Sequence, residues 1–184
     1  MALSTISTNA ITDGTIATAD IADSAVTAAK ASGLGISEAD QYRITSGFTQ
    51  GGSQSIISSN WERADSDGFG VKGTGLTESS GVFTFPSTGY WKIDVGMIGT
   101  SSNDEYFRIR LMYGGTSGEN SFVAEGYESS GAGSYMQTGF SCIIKNTDTA
   151  ADKFSFYNSI SSGSIKGDTG GNSSGFVCTK IAEI

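Results

Sequence analysis

The chain contains no histidine among its 184 residues. Imidazole is the usual base beside a serine or cysteine nucleophile and a common zinc ligand, so the sequence excludes those catalytic systems and that zinc site. Lysine and arginine number 11 against 19 aspartates and glutamates, which gives a net charge of −8. Nucleic-acid binding needs clustered basic residues to replace phosphate counterions, so we expect no nucleic-acid partner.

Long apolar runs are also missing. No run approaches the ~20 residues that span a bilayer, so we expect no membrane insertion. The N-terminus has neither the basic start nor the apolar stretch of a signal peptide. We therefore expect synthesis in the cytoplasm, after which the protein stays there or leaves as part of a larger assembly such as a virion.

Cysteine is scarce, with only two residues, and both lie in strand-like segments. Cys142 falls within Phe140–Ile144, and Cys178 within Phe176–Thr179. A disulfide between them is possible. Free, buried thiols are favoured in a protein made in the cytoplasm.

The single proline, Pro86, marks a turn inside the segment Gly81–Val95. Apolar residues precede the turn, and after Gly89 apolar and polar side chains alternate. The apolar members of this alternation are Trp91, Ile93 and Val95. A period of two indicates a strand with one buried face, so the segment predicts two antiparallel strands joined by a turn.

Glycine is abundant, with 26 residues, and strand-like segments recur at short intervals. Ten are predicted near Tyr42–Thr49, Gln54–Glu62, Gly68–Lys72, Gly81–Phe85, Tyr90–Gly99, Glu105–Tyr113, Ser121–Glu128, Tyr135–Lys145, Lys153–Ile160 and Gly175–Ile184. About ten strands in this length predict an all-β fold, a two-sheet antiparallel jelly-roll sandwich. We assign this knob to residues 41–184, a linker to 31–40 and an extended N-terminal arm to 1–30.

The arm has an aliphatic residue at every fifth position: Ile6, Ile11, Ile16, Ile21 and Val26. A step of five turns about 140° on a helix and reverses face on a strand, so neither element collects these residues on one side. A coiled pentapeptide turn or an extended docking strip fits the period better.

A comparison of the free energy gained by burial with the entropy cost of ordering the backbone indicates that the arm does not fold alone. Five buried aliphatic side chains contribute ~7–15 kcal/mol, whereas ordering residues 6–30 costs ~25–50 kcal/mol. The segment therefore lies against a partner, winds with copies of itself, or is a disordered tail with accidental periodicity. Residues 21–27, Ile-Ala-Asp-Ser-Ala-Val-Thr, resemble repeats of bacteriophage tail and fibre proteins. The resemblance implies docking of residues 1–30 on tail or capsid proteins.

The knob resembles the globular head of complement C1q, which shares its jelly roll with tumour necrosis factor. The matching positions are Leu76, Phe83, Gly89, Trp91, Ile93 and Val95, followed by Ala151–Phe156 and by Gly175 and Phe176 within Ser174–Val177. Ile93 and Val95 stand where that family has aromatic residues, and Asp65 and Val71 depart from the upstream half of its signature. The resemblance implies a homotrimer with one sheet face of each subunit packed around a threefold axis.

Aromatic residues are concentrated in the middle strands: Tyr106, Phe107, Tyr113, Phe122, Tyr127, Tyr135 and Phe140. They are more than one small sandwich core must absorb. Either some line a subunit interface, where aromatic residues are enriched, or all belong to the core.

Several short motifs suggest chemistry, but none is complete. Gly167–Gly171 resembles a serine-protease nucleophile turn, with Thr169 in place of the serine and no base. Asp65–Gly68 begins like a calcium loop but lacks the later ligands. The pairs Asp104–Glu105 and Asp148/Asp152 fit solvated loop ends better than a glycosidase site. We expect no catalytic residues, no cofactor and no metal.

Three functional classes remain. The first is a trimeric virion protein, either a phage tail fibre or a capsid decoration (head-fibre) protein. The second is a cellular C1q-like binding module, and the third a polysaccharide-degrading spike. A tail fibre protein explains the arm and the missing catalytic groups together. Its knob loops would bind a host-surface glycan or protein. The candidate loops are Gly114–Asn120, Ser129–Ser134 and Ser161–Asn172.

Overall fold

The computed structural model describes residues 16–22, 25–26, 35–49, 54–66, 68–101, 106–129, 134–160 and 163–184. The chain divides into two compact units, Met1–Leu34 and Gly35–Ile184. In the first unit a 3-10 helix spans Thr18–Asp20. The Asp20 carboxylate accepts the Ala17 backbone N–H at 2.8 Å, and the Asp20 N–H donates to the Ala17 carbonyl at 2.9 Å. Local hydrogen bonds therefore close this single turn.

The second unit is built from strands. Within the described residues they are β1 Ala39–Ile44, β2 Phe48–Thr49, β3 Ser55–Ile56, β4 Trp61–Arg63, β5 Thr77–Ser79, β6 Val82–Thr84, β7 Gly89–Ser101, β8 Tyr106–Tyr113, β9 Ser121–Ser129, β10 Ser134–Asn146, β11 Lys153–Ser159, β12 Gly163–Ile165 and β13 Gly175–Ala182. The thirteen strands exceed the ten predicted segments because six of them are only two or three residues long, too short to show the period-two pattern.

Sheet A consists of β1, β2, β4, β7, β10, β12 and β13. Its long central strand β7 pairs with β10 along one edge over its whole length. Along the other edge β7 pairs with β13 and then with β12. Beyond them, β1 joins β13 to β4, and β2 pairs with β12. All these pairs are antiparallel.

Sheet B has the order β5-β6-β11-β8-β9, with β3 also paired to β11. Successive parts of the chain alternate between the sheets, since β6, β8, β9 and β11 lie in sheet B while β7, β10 and β13 lie in sheet A. Such alternation between two antiparallel sheets produces a jelly roll. The predicted fold class, an all-β two-sheet jelly-roll sandwich, is confirmed.

The core lies between the sheets and is rich in aromatic rings. Phe83 on β6 is fully buried, and its ring centroid lies 4.9 Å from that of Phe176 and 5.2 Å from those of Trp61 and Phe154. Edge-to-face and stacked pairs of this kind each contribute about 0.5–1.5 kcal/mol beyond the area that they bury. Phe83 therefore joins strands of both sheets.

The residues that carry the C1q resemblance lie in or beside this core. Leu76, Phe83, Trp91, Ile93, Val95 and Phe176 are all buried. Gly89 has a φ of +148°, and a Cβ there would overlap Cε of Lys180. A Cβ on Gly175 would overlap the Tyr42 carbonyl oxygen. Both glycines thus allow close approach of a neighbouring strand.

Two predicted boundaries differ from the structure. The strand predicted at Gly68–Lys72 is wrong: only an isolated bridge joins Lys72 to Ala39, and Gly68 adopts a φ of +93° that breaks an extended chain. Ala39 and Asp40, within the predicted linker 31–40, are the first residues of β1. Asp40 belongs to the strand because its side chain is buried in an ion pair.

Both cysteines are free. Cys142 and Cys178 are each paired with Ile93, from the two strands that flank β7. Two strand spacings separate them by about 10 Å, beyond the ~7 Å that a disulfide allows between Cα atoms. Burial, with a smaller contribution from the Asp94 charge, raises the pKa of the Cys142 thiol to about 11.

Candidate interaction surfaces

The outer face of sheet A is crossed by a row of three glycines, which we call the glycine row. Gly139 on β10 pairs with Gly96 on β7, and Gly96 pairs in turn with Gly175 on β13. A glycine inside a strand destabilises it by about 0.5–1 kcal/mol relative to alanine. At Gly139 and Gly175 the reason is local, since a Cβ would overlap a carbonyl oxygen of the adjacent strand.

Gly96 is different. A Cβ on Gly96 would have no heavy atom within 4 Å, and the residue is exposed. The subunit alone gives no steric reason for glycine at this position, in the middle of one of the two 13-residue strands of sheet A. Such a glycine is typical of a place where another backbone or a ligand approaches closely.

Apolar side chains lie on the same outer face. Ile143 on β10 is 59% exposed, and Val177 and Ile181 on β13 are 37% and 46% exposed. The face also carries an ion pair of 2.8 Å between Lys92 and Asp94. Burial raises the pKa of Asp94, but hydrogen bonds from Lys92 and Ser141 outweigh it, and the net pKa is lowered. The outer face of sheet A is therefore a mixed, partly apolar surface.

The aromatic residues of the middle strands divide between core and surface. Phe107 is fully buried, and Tyr113 and Phe140 pack against the core while partly buried. The exposed members are Tyr106, Phe122, Tyr127 and Tyr135, at 41%, 53%, 58% and 72%. The alternative that all seven form the core is wrong, because four of them point to the outer faces of the sheets.

Three of the exposed aromatic residues lie on the outer face of sheet B with two arginines. We call this set, Tyr106, Arg108 and Arg110 on β8 with Phe122 and Tyr127 on β9, the aromatic–arginine strip. The rings of Tyr106 and Tyr127 stack with centroids 5.9 Å apart and an interplanar angle of 20°. Cζ of Arg110 lies 5.2 Å from the Phe122 ring centroid, and Cζ of Arg108 lies 5.9 Å from that of Tyr106.

The two arginines of the strip are held differently. Arg110 donates from Nε to Glu125 at 2.8 Å and from Nη1 to the Gln54 side-chain oxygen at 2.7 Å. Arg108 donates from Nη2 to the Ser159 hydroxyl at 3.3 Å, and its Nε is buried without an acceptor. Arg110 is thus fixed in the sheet face by a carboxylate, whereas Arg108 forms no ion pair with any described residue. Sequence alternation predicts that both arginines share a face, but not the partners that hold them.

The predicted binding loop Gly114–Asn120 is anchored to β11. The Ser155 hydroxyl donates to the Gly118 carbonyl at 3.0 Å, and the Tyr157 hydroxyl donates to Glu119. A Cβ on Gly118 would overlap the Phe154 backbone. This packing leaves little freedom for an adaptable loop. Burial, then the bond to Glu119 and its charge, raise the pKa of Tyr157 to about 12.

The other two predicted loops are described only in part. Residues 130–133 of Ser129–Ser134 and residues 161–162 of Ser161–Asn172 lie outside the described residues. In the second loop, Asp168 donates its N–H to the Ile44 carbonyl at 2.8 Å, and its carboxylate accepts the Gly170 N–H at 2.8 Å. Asp168 therefore supports a turn within Gly167–Gly171.

The predicted docking residues of the arm are exposed where they are described. Ile16, Ile21 and Val26 are 53%, 43% and 54% exposed. Ile6 and Ile11 lie outside the described residues. The 3-10 helix separates Ile16 from Ile21, so this part of the arm is neither a regular α-helix nor a strand.

The carboxylate pairs and the cysteines form no metal centre in the parts of the chain that are described, where no cluster of three or more potential ligands occurs. Asp148 instead accepts the backbone N–H groups of Ala150 and Ala151 at 2.8 and 3.1 Å, as the start of a turn. Asp104 and Glu105 lie outside the described residues. None of the described residues forms a helix with the length and apolarity needed to cross a bilayer.

Comparison with known proteins identifies the fold but shows no closer relationship. No protein-family model matches the chain, and no curated protein matches it. Murine APRIL superposes with a TM-score of 0.61 at 9% identity, covering 78% of this chain and 98% of that chain. Eiger TNF from S. frugiperda superposes with a TM-score of 0.57 at 14% identity, covering 79% of this chain and 93% of that chain. The globular domain of zebrafish complement 1qA superposes with a TM-score of 0.50 at 11% identity, covering 80% of this chain and 99% of that chain. The knob therefore has a TNF/C1q-like jelly-roll fold.

Proposed function

We propose that this protein is a non-enzymatic structural component of a virion, a homotrimeric phage tail fibre protein. The N-terminal arm docks on the particle, and the jelly-roll knob binds the host surface. No cofactor takes part. The protein is made in the host cytoplasm and becomes part of the particle.

Self-association is carried by one observation, the glycine row on the outer face of sheet A. Gly96 leaves open space that the subunit itself does not need, and Ile143, Val177 and Ile181 provide apolar contacts beside it. A second copy packed on this face would bury these side chains and bring its chain close to Gly96. A closed ring of such contacts gives a cyclic oligomer, and the C1q resemblance implies three copies.

Attachment to a particle is supported by the arm. Its described aliphatic residues Ile16, Ile21 and Val26 are exposed, and five such side chains cannot offset the entropy of ordering the segment alone. They therefore need a partner surface. The resemblance of residues 21–27 to tail and fibre repeats favours tail or capsid proteins as that partner.

Absence of catalysis is part of the same proposal. A chain without histidine has no imidazole base, and the carboxylates of Asp148 and Asp168 are engaged by backbone N–H groups of their own turns. An attachment protein needs binding surfaces but no reacting groups.

Sedimentation of the full chain tests the oligomer. We expect one species at three times the chain mass, and a stable monomer at micromolar concentration would contradict the proposal. Deletion of residues 1–30 is expected to leave a trimeric knob that is no longer incorporated into particles. Retained incorporation would show that the arm is dispensable. Immunogold labelling then separates the candidates, since a tail fibre protein labels the tail and a decoration protein labels the head.

A further inference from the structure

We infer that the aromatic–arginine strip on the outer face of sheet B binds an acidic oligosaccharide. This inference rests on the proposed host-attachment function and gives it a surface and a ligand chemistry. It also moves the receptor site from the knob loops to a sheet face.

The strip is exposed and rigid. Tyr106, Phe122 and Tyr127 are between 41% and 58% exposed, although aromatic side chains of this size are usually covered. Arg110 is held by Glu125, by Gln54 and by the Phe122 ring. Because these side chains are already ordered, binding a ligand costs little additional conformational entropy.

The shape of the strip fits an extended chain of sugars. Tyr127 pairs with Arg108 and Phe122 pairs with Met112, four residues further along β8, which places the two rings about 13 Å apart along the strand. The stacked tyrosines thus mark one end and Phe122 the other, with both arginines between them. The apolar C–H faces of pyranose rings pack on aromatic rings, and the planar guanidinium groups donate to oxygens between the rings.

The charge of the strip favours an acidic sugar. In a chain of net charge −8, two guanidinium groups stand in this one short stretch of β8. Arg110 is paired with Glu125, whereas Arg108 forms no ion pair within the described residues and donates from Nη2 to the Ser159 hydroxyl at 3.3 Å. A carboxylate is the acceptor that an arginine fork binds most strongly. Arg108 is therefore the residue that we expect to select an acidic sugar over a neutral one.

A protein partner is the alternative occupant, since aromatic residues and arginine are also enriched in protein interfaces. Such interfaces place their apolar residues in a continuous dry centre with charges at the rim. Here the arrangement is reversed, with charged groups in the middle and rings at both ends. The alternation of ring and polar group favours an oligosaccharide.

The test uses the full-length protein and calorimetric titration with defined probes. The acidic probes are oligomers of sialic acid and of galacturonic acid, and the neutral probe is a malto-oligosaccharide. We expect binding to an acidic probe, weakened about tenfold by Tyr127→Ala and by Phe122→Ala, a change that corresponds to about 1.4 kcal/mol. Arg108→Gln is expected to remove the preference for acidic over neutral probes.

Two matched variants serve as controls. Tyr135→Ala removes an aromatic side chain that is 72% exposed on sheet A, and Lys153→Gln removes a charge elsewhere on sheet B. Both should bind the acidic probe like the unchanged protein. Sedimentation of every variant checks assembly, so a trimer that binds no acidic oligomer overturns this inference alone, whereas a monomer overturns the proposed function.

Three further results would also overturn the inference. The first is equal affinity of the unchanged protein for acidic and neutral probes. The second is undiminished binding by Tyr127→Ala and Phe122→Ala. The third is attachment to host cells that survives enzymatic removal of surface glycans and is lost on protease treatment, because a protein would then be the receptor.

Discussion

Asp40 on β1 and Arg63 on β4 form an ion pair in which Nε of the arginine lies 3.1 Å from both carboxylate oxygens. The Asp40 side chain is 1% exposed, and it also accepts the Leu76 backbone N–H at 2.7 Å. The same arginine donates to the Leu76 carbonyl. This carboxylate therefore ties the segment before β5 to two strands of sheet A.

Removal of that carboxylate is expected to be strongly destabilising. Asp40→Ala leaves the Leu76 N–H and the Arg63 Nε without their acceptor, so we expect a loss of about 3–5 kcal/mol in the free energy of unfolding. Glu125→Ala, which breaks the more exposed pair with Arg110, is the matched control, with an expected loss below about 1 kcal/mol. Chemical denaturation at one protein concentration measures both. Equal losses would refute the structural role of Asp40.

Gly89 is expected to be intolerant of a side chain. Gly89→Ala places a Cβ at a φ of +148° and in the space of Lys180 Cε, so we expect destabilisation of more than about 1 kcal/mol. In the double variant Gly89→Ala/Lys180→Ala the overlap is gone, and the combined loss should be smaller than the sum of the single losses. Thermal and urea unfolding measure the free energies of unfolding of the unchanged protein, the two single variants and the double variant. Strict additivity would show that the two residues do not interact.

Alkaline pH is expected to weaken the anchoring of the loop Gly114–Asn120. The folded pKa of Tyr157 is raised from 10.0 to about 12, so its contribution is complete below pH 10 and is lost as pH rises through about 12. At pH 8 we expect Tyr157→Phe to be less stable than the unchanged protein, because the bond to Glu119 is missing. Towards pH 12 this difference should vanish, because an ionised Tyr157 repels Glu119. Urea unfolding across this range is the measurement, and a constant difference would contradict the expectation.

Assembly is expected to depend on the open space at Gly96. In Gly96→Val the added Cβ has no heavy atom of the subunit within 4 Å, so the fold should persist while the side chain obstructs a second copy at a cost of about 1–3 kcal/mol per contact. Sedimentation velocity should therefore show dissociation at concentrations where the unchanged protein is trimeric. Thr84→Val on the outer face of sheet B is the control and should sediment normally. A trimeric Gly96→Val protein would mean that sheet A does not carry the interface.

Sequence periodicity predicts the fold where a strand is long and has one buried face. The alternation from Tyr90 to Val95 predicts both the start of β7 and its buried side chains, because period two follows directly from the pleat. Strands of two or three residues, such as β3 and β12, have too few positions for a period to appear. These short strands form because they hydrogen bond to strands that are distant in the sequence, and a local sequence pattern does not predict such pairing.

The candidate surfaces are predicted less well, for related reasons. Tyr106 and Phe107 are neighbours, so a strand must place one outside and one inside, and the sequence identifies that pair. It does not predict that Tyr127 stacks on Tyr106, because β9 shows no alternation and a bulge shifts its register near Met112. The fixed loop at Gly118 escapes prediction as well, because its anchors Ser155 and Tyr157 come from a distant strand.

The position of β13 determines when this knob can fold during synthesis. Residues Gly175–Ala182 form the strand that lies between β7 and β1 and hydrogen bonds to both. Sheet A therefore cannot close until these residues have left the ribosome, and β1 has no partner on that side before then. Such late, long-range pairing is slow and leaves strand edges open to other chains.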